Sequence, residues 1–126
     1  MQFKDSIEFW LFTELELINF TKKMVPKLKL GSYYHDCENA WEWTTSYSKP
    51  KNKIEFNVRR LWGFEIPDSK QPLIINFYKK GQFTTKEIDN IGKEISGIIK
   101  NKVYFGEVDY LNDYKFGYNI SKEYVA

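Results

Sequence analysis

The chain alternates between short apolar runs of strand character and two stretches of helical spacing. Ile7-Glu8-Phe9-Trp10-Leu11-Phe12 is rich in aromatic and β-branched residues and predicts a buried strand. A helix start follows. Thr13 is placed to cap, Glu16 to reach back in a capping box, and Phe12 with Leu17 to form a hydrophobic staple. Leu17, Ile18, Met24, Val25 and Leu28 give a helical apolar spacing. Pro26 lacks an N–H, so the helix should end or kink just before it.

Tyr33–Cys37 and Ala40–Tyr47 predict two strands around a tight Glu38-Asn39 turn, with no glycine to supply positive φ. Alternation puts Trp41 and Trp43 on one face, Glu42 and Thr44 on the other. Ser48-Lys49-Pro50-Lys51-Asn52 reads as a polar turn. Lys53 to Glu65 then alternates: Ile54, Phe56, Val58, Trp62 and Phe64 share one face, Lys53, Glu55, Asn57 and Arg59 the other. Gly63 and the segment from Pro67 to Pro72 close this strand with an exposed loop. Leu73-Ile74-Ile75-Asn76-Phe77-Tyr78 is apolar enough to be central, and Lys79-Lys80-Gly81 ends it.

The second helix start repeats the first. Thr84 is the N-cap, Glu87 its capping-box partner, and Phe83 with Ile88 the staple. Ile88, Ile91, Ile95, Ile98 and Ile99 form one stripe. Gly92 and Gly97 each cost about 1 kcal/mol relative to alanine, which points to close packing on a sheet. Asn101 suits the C′ position. Val103–Leu111 and Tyr114–Ile120 finish the chain as strands, with Tyr114, Phe116, Tyr118 and Ile120 on one face.

Strand-helix, several strands, then strand-helix-strand predicts one α+β domain over residues 1–126. The expected architecture is an antiparallel or mixed sheet with two helices packed on one face, a ferredoxin-like split βαβ with extra strands. Helices on a single face leave the other face available to water or to a partner.

Composition narrows the class. A hydrophobic share of 42% and an aromatic share of 18% in 126 residues supply a core and exclude disorder. One cysteine rules out an internal disulfide framework and fits a reducing compartment. The opening residues lack a signal-peptide pattern, and no apolar run approaches the roughly 20 residues that span a bilayer. The expectation is a cytoplasmic protein. The formal charge is +2, but residues 1–48 carry −2, residues 49–102 carry +6 and residues 103–126 carry −2. A basic middle bracketed by acidic ends can make a dipolar molecule or interleave into a neutral one.

The densest chemistry lies in Tyr33–Trp43, which holds the only histidine, the only cysteine, two of four tryptophans and three acids. Phosphate loops, nucleophile elbows, paired-cysteine zinc sites and two-histidine helices are absent from the chain. His35 and Cys37 are two apart on a strand, about 6.5–7 Å, too far for a nucleophile pair. A buried thiol beside a satisfied imidazole is the expected state. Asp36, Glu38 and Glu42, with Glu107 and Asp109 as neighbours, raise a metal-dependent nuclease as one alternative. Lys49-Pro50-Lys51-Asn52-Lys53 with Arg59 and Arg60 raises an RNA-binding ferredoxin-like domain as another, although Val103-Tyr104-Phe105-Gly106 is too short a match to its signature. Acids mixed with tryptophans better suit a basic protein partner, because indoles anchor interfaces and charges steer encounter.

The strand-helix over Ile7–Val25, followed by Tyr34-His35-Asp36-Cys37-Glu38-Asn39-Ala40-Trp41-Glu42-Trp43, resembles the small immunity proteins of bacterial contact-dependent growth inhibition systems. The likeness covers roughly the first half of the chain. It implies a non-enzymatic cytosolic protein, without cofactor or metal, that binds and neutralises a cognate toxin domain, often a nuclease. The partner-binding residues expected on that reading are Asp36, Glu38, Trp41, Glu42, Glu107, Asp109 and Asp113.

Overall fold

The structure is a computed structural model that describes residues 5–47, 54–61, 67–112 and 115–125. In chain order the elements are β1 (Ser6–Leu11), α1 (Leu17–Lys27), β2 (Tyr33–Glu38), β3 (Trp41–Ser46), β4 (Glu55–Leu61), a single 3₁₀ turn at Asp68–Lys70, β5 (Leu73–Tyr78), α2 (Thr85–Ile99), β6 (Val103–Asn112) and β7 (Lys115–Tyr124). The seven strands form one sheet, ordered β2-β3-β4-β5-β1-β6-β7, and every described pairing is antiparallel. β5, the most continuously apolar run, takes the central position, with four of its six residues buried.

This order departs from the ferredoxin-like expectation. Pairing with β1 on both sides makes β5 and β6 parallel to each other, with α2 joining them across one strand. The β1–α1–β2 connection instead crosses three strands, β5, β4 and β3, so the sheet is larger than a double split unit.

Both helices lie on one face. Leu17, Phe20 and Met24 of α1 and Ile88, Ile91 and Ile95 of α2 join Ile7, Phe9, Leu11, Phe56, Val58, Leu73, Ile75, Phe77, Val103 and Phe105 in one apolar cluster. The odd residues of β1 and β5 thus face the helices, as the strand period requires. Midway along α1 the contact with the sheet turns polar. Thr21 donates its hydroxyl to the Leu17 carbonyl (3.0 Å) and accepts from Thr44 of β3 (2.7 Å), which satisfies two buried hydroxyls.

The two helix starts differ. At α2 the capping box forms in full: Glu87 N–H donates to Thr84 Oγ1 (3.1 Å) and Thr84 N–H to Glu87 Oε1 (2.9 Å). At α1 it does not. The helix begins at Leu17 with Glu16 as N-cap and no side-chain cap. The cause is Arg60, buried on the helix side of β4, whose guanidinium donates to the Thr13 carbonyl (3.1 Å) and the Leu15 carbonyl (3.0 Å). Those carbonyls are held outside the helix, and Thr13 instead accepts from Leu15 N–H (3.2 Å).

Three terminations also moved. α1 runs one residue past Pro26 and closes with Lys29 at φ 55°, Leu30 N–H bonding the Val25 carbonyl (2.9 Å) and Lys29 N–H the Pro26 carbonyl (3.3 Å). This is a Schellman closure with lysine in the left-handed position. At the end of α2, Lys100 (φ 54°), not Asn101, takes that position. The β2–β3 turn is Asn39-Ala40, with φ 52° and 67°, a two-residue turn with both central residues left-handed. The expected positions of Trp62, Gly63, Phe64, Tyr114 and the Ser48–Lys53 turn fall outside the described residues.

Candidate functional site

The face away from the helices carries its own aromatic layer. Trp10, Ile74 and Val108 are buried there, packed by Phe12, Trp41, Tyr104 and Phe116. Trp10 stacks on Tyr104 (5.8 Å) and on Tyr118 (5.5 Å), and Trp41 meets Tyr110 (6.0 Å) and Phe116 (6.5 Å) edge to face. β3 and β6 are four strand steps apart, about 19 Å across a flat sheet. Contact between Trp41 and Tyr110 therefore requires the distal β6–β7 hairpin to fold back across this face.

The fold-back starts at a bulge. Pairing steps from Phe105↔Lys122 to Gly106↔Ile120, which leaves Ser121 without a partner. A bulge bends its strand and reverses side-chain parity beyond it. Tyr124 accordingly sits in the helix-side core, while Phe116 and Tyr118, also even-numbered, lie on the opposite face. Gly106 is required here, because a Cβ would run into the Asn119 carbonyl oxygen. A polar cluster fastens the hairpin to the sheet: Val108 N–H donates to Glu8 Oε1 (2.9 Å), and Asn76 Nδ2 donates to Glu8 Oε2 (3.0 Å). Arg59 donates to Asn76 Oδ1 and lies 3.9 Å from Glu8.

Between the β2 edge and this hairpin lies an open groove of about 390 Å³, lined by Glu38, Asn39, Trp41, Trp43, Asn57 and Arg59. Sheet register explains the lining. Asp36, Trp43 and Arg59 form one cross-strand row, and Glu38, Trp41 and Leu61 form the next. Each row runs from an exposed carboxylate at the edge, over a half-buried indole, toward the covered centre. The head of Arg59 is turned inward to Asn76 and Glu8, while the carboxylates of Asp36 and Glu38 stand exposed at the outer groove.

The expected partner-binding residues are divided by this geometry. Asp36, Glu38 and Trp41 share the groove face. Glu42 lies on the helix side of β3, where its Oε2 accepts from His35 Nε2 at 2.7 Å. Glu107 and Asp109 are exposed and alternate with Val108 and Tyr110, on the side of the hairpin turned away from the sheet. Asp113 lies outside the described residues. Cys37 is exposed rather than buried, because β2 is the outermost strand and α1 packs mainly over β3 and β4.

Both bases of the RNA-binding alternative that the structure describes are engaged: Arg59 as above, and Arg60, 1% exposed, by backbone carbonyls. Among the described residues, no three His, Cys, Asp or Glu side chains are grouped closely enough to hold a metal ion. None of the described helices is long and apolar enough to cross a membrane.

Sequence reasoning missed the contribution of Tyr110 and the inward locking of Arg59 by Glu8 and Asn76. A signal for the first was present. A lone glycine in an alternating strand, Gly106 in Val103–Asn112, marks a bulge or a close backbone approach. The second had none, since Glu8, Arg59 and Asn76 meet only through the order of β1, β5 and β4. Comparison of the chain with protein-family models and with curated protein sequences returns no match.

Proposed function

We propose that this chain is a protein-binding module that neutralises a cognate toxin domain, in the manner of a contact-dependent growth inhibition immunity protein, and that it is not an enzyme. The observation that carries the reading is the paired rows Asp36-Trp43 and Glu38-Trp41, with acids on the rim and half-covered indoles beside them. Half-exposed indoles supply large, rigid contact area, and rim carboxylates steer a basic partner while repelling an acidic one. Nucleic acid is the poorer fit, because its phosphates would approach Asp36 and Glu38 while both described arginines are already engaged within the fold.

The test is co-expression with the reading frame immediately upstream. The two products should purify together, and the upstream product alone should arrest growth. In the purified complex, the double reversal Asp36→Lys with Glu38→Lys should weaken binding by more than tenfold, a loss of over about 1.4 kcal/mol. Glu42→Lys, on the opposite face, should change affinity little. Equal effects of the two perturbations would remove the groove as the site.

A further inference from the structure

Among the described strands, β2 and β7 lie at the two edges of the sheet, and they are built differently. β7 is interrupted by the Ser121 bulge and carries Lys115 and Lys122, two devices that discourage strand addition. β2 keeps an unbroken register with β3 over all six residues, and Tyr34 through Glu38 are exposed. Tyr47 N–H bonds the Ser32 carbonyl at 3.0 Å. Antiparallel alternation then turns the backbone groups of Tyr34, Asp36 and Glu38 toward β3 and those of Tyr33, His35 and Cys37 outward. One outward donor is closed by the chain itself: Cys37 N–H donates to Asp36 Oδ1 at 2.8 Å.

Charge decides what can pair with this edge. From Gly31 to Ser48 the chain holds Asp36, Glu38 and Glu42 and no lysine or arginine. A second copy pairing β2 to β2 would bring those acids against their own kind, which is destabilising. A strand with basic residues at alternate positions meets the opposite condition.

We propose that β2 is a docking edge for an extended basic segment of a protein partner, which adds an eighth strand to the sheet. The inference rests on the protein-binding reading above and names its mode. The ladder would form at Tyr33, His35 and Cys37, while alternate basic side chains pair with Asp36 and Glu38 and lie along Trp43 and Trp41. A cation at Asp36 also draws its carboxylate away from Cys37 N–H and opens that donor to the incoming carbonyl. Backbone bonds would then set affinity and the alternate side chains specificity.

The probe is the peptide acetyl-Thr-Arg-Thr-Arg-Thr-amide, titrated to about 5 mM, enough to populate a complex with a Kd near 1 mM. Amide hydrogen exchange at His35 should slow at least tenfold at saturation, and the Trp43 indole N–H resonance should move. The same peptide with glutamate for arginine, or with proline at its centre, should do neither. Cys37→Pro should abolish the effect, because it removes an outward donor, along with its bond to Asp36, and sets a ring where the incoming strand must lie. If that variant does not fold, the exchange rate at His35 in the unmodified protein decides alone. Several results would overturn the proposal: no binding of the arginine peptide, equal binding of the glutamate peptide, or preferential binding of a single-stranded pentanucleotide. Movement of the Trp43 resonance without protection at His35 would overturn strand addition. A toxin complex that depends on Asp36 and Glu38 but leaves His35 exchange unchanged would also overturn it, and would leave the protein-binding reading standing.

Discussion

Two glycines in one helix should respond differently to alanine. Both sit within α2, where glycine costs about 1 kcal/mol relative to alanine. Gly97 is exposed, and a Cβ there would meet nothing within 4 Å. Gly97→Ala should therefore stabilise the protein by close to the full amount, about 0.8–1 kcal/mol. Gly92 is buried, and a Cβ there would lie within 2.6 Å of the Tyr124 ring, closer than any real contact. The ring cannot swing away cheaply. It is 4% exposed, packs against Phe9 at 6.2 Å, and its hydroxyl donates to Asp89 at 2.6 Å. Overpacking of this kind costs about 1–3 kcal/mol, and the helical gain of about 1 kcal/mol offsets part of it. Gly92→Ala should come out between neutral and destabilised by about 2 kcal/mol, so the two variants should differ by the overpacking cost itself, about 1–3 kcal/mol. Urea unfolding followed by far-ultraviolet circular dichroism measures this, as does a Tm difference at about 4 °C per kcal/mol for a chain this long. If Gly92→Ala is as stable as Gly97→Ala, the packing of α2 on the last strand is not as described.

Ala40→Gly should raise stability by about 0.5–1 kcal/mol, since a left-handed alanine costs roughly 1–2 kcal/mol and glycine returns part of that as entropy; an unchanged or lower urea midpoint would contradict the observed Asn39-Ala40 turn. Stability should fall at both ends of the pH range. The Lys122 ammonium and the Tyr124 hydroxyl hold the Asp89 carboxyl below its usual range. At Glu87 partial burial pushes the carboxyl up, but bonds from Lys79 and Thr84 outweigh it and the net direction is down. Groups lowered in the folded state contribute above their ordinary range, so the urea midpoint should fall as pH drops below about 4.5. Burial and then the Asp89 bond push the Tyr124 phenol up, so its contribution is present below about pH 10 and is lost above it. Asp89→Asn should flatten both limbs, and a midpoint that rises on acidification would refute this.

The sequence by itself determined the elements whose cause is local. The capping box at Thr84, the isoleucine stripe of α2 and the apolar run of β5 each act within one turn or one strand, and each formed as expected. The inward and outward faces of β1, β3 and β5 followed from a period of two. Where a distant side chain competed, local reasoning failed. Nothing near Thr13 signals that Arg60, 47 residues away, will take its carbonyl and delay α1 to Leu17. The candidate site depended still more on the tertiary structure. Alternation already separated Trp41 from Glu42, but only the strand order made β2 an edge and left Cys37 exposed. Only the bulge at Ser121 carried Tyr110 across the sheet to Trp41, and only the meeting of β1, β4 and β5 turned Arg59 inward. Periodicity specifies which way a side chain points from its own strand. What stands opposite depends on pairings between residues far apart in sequence, and these are decided by the fold as a whole.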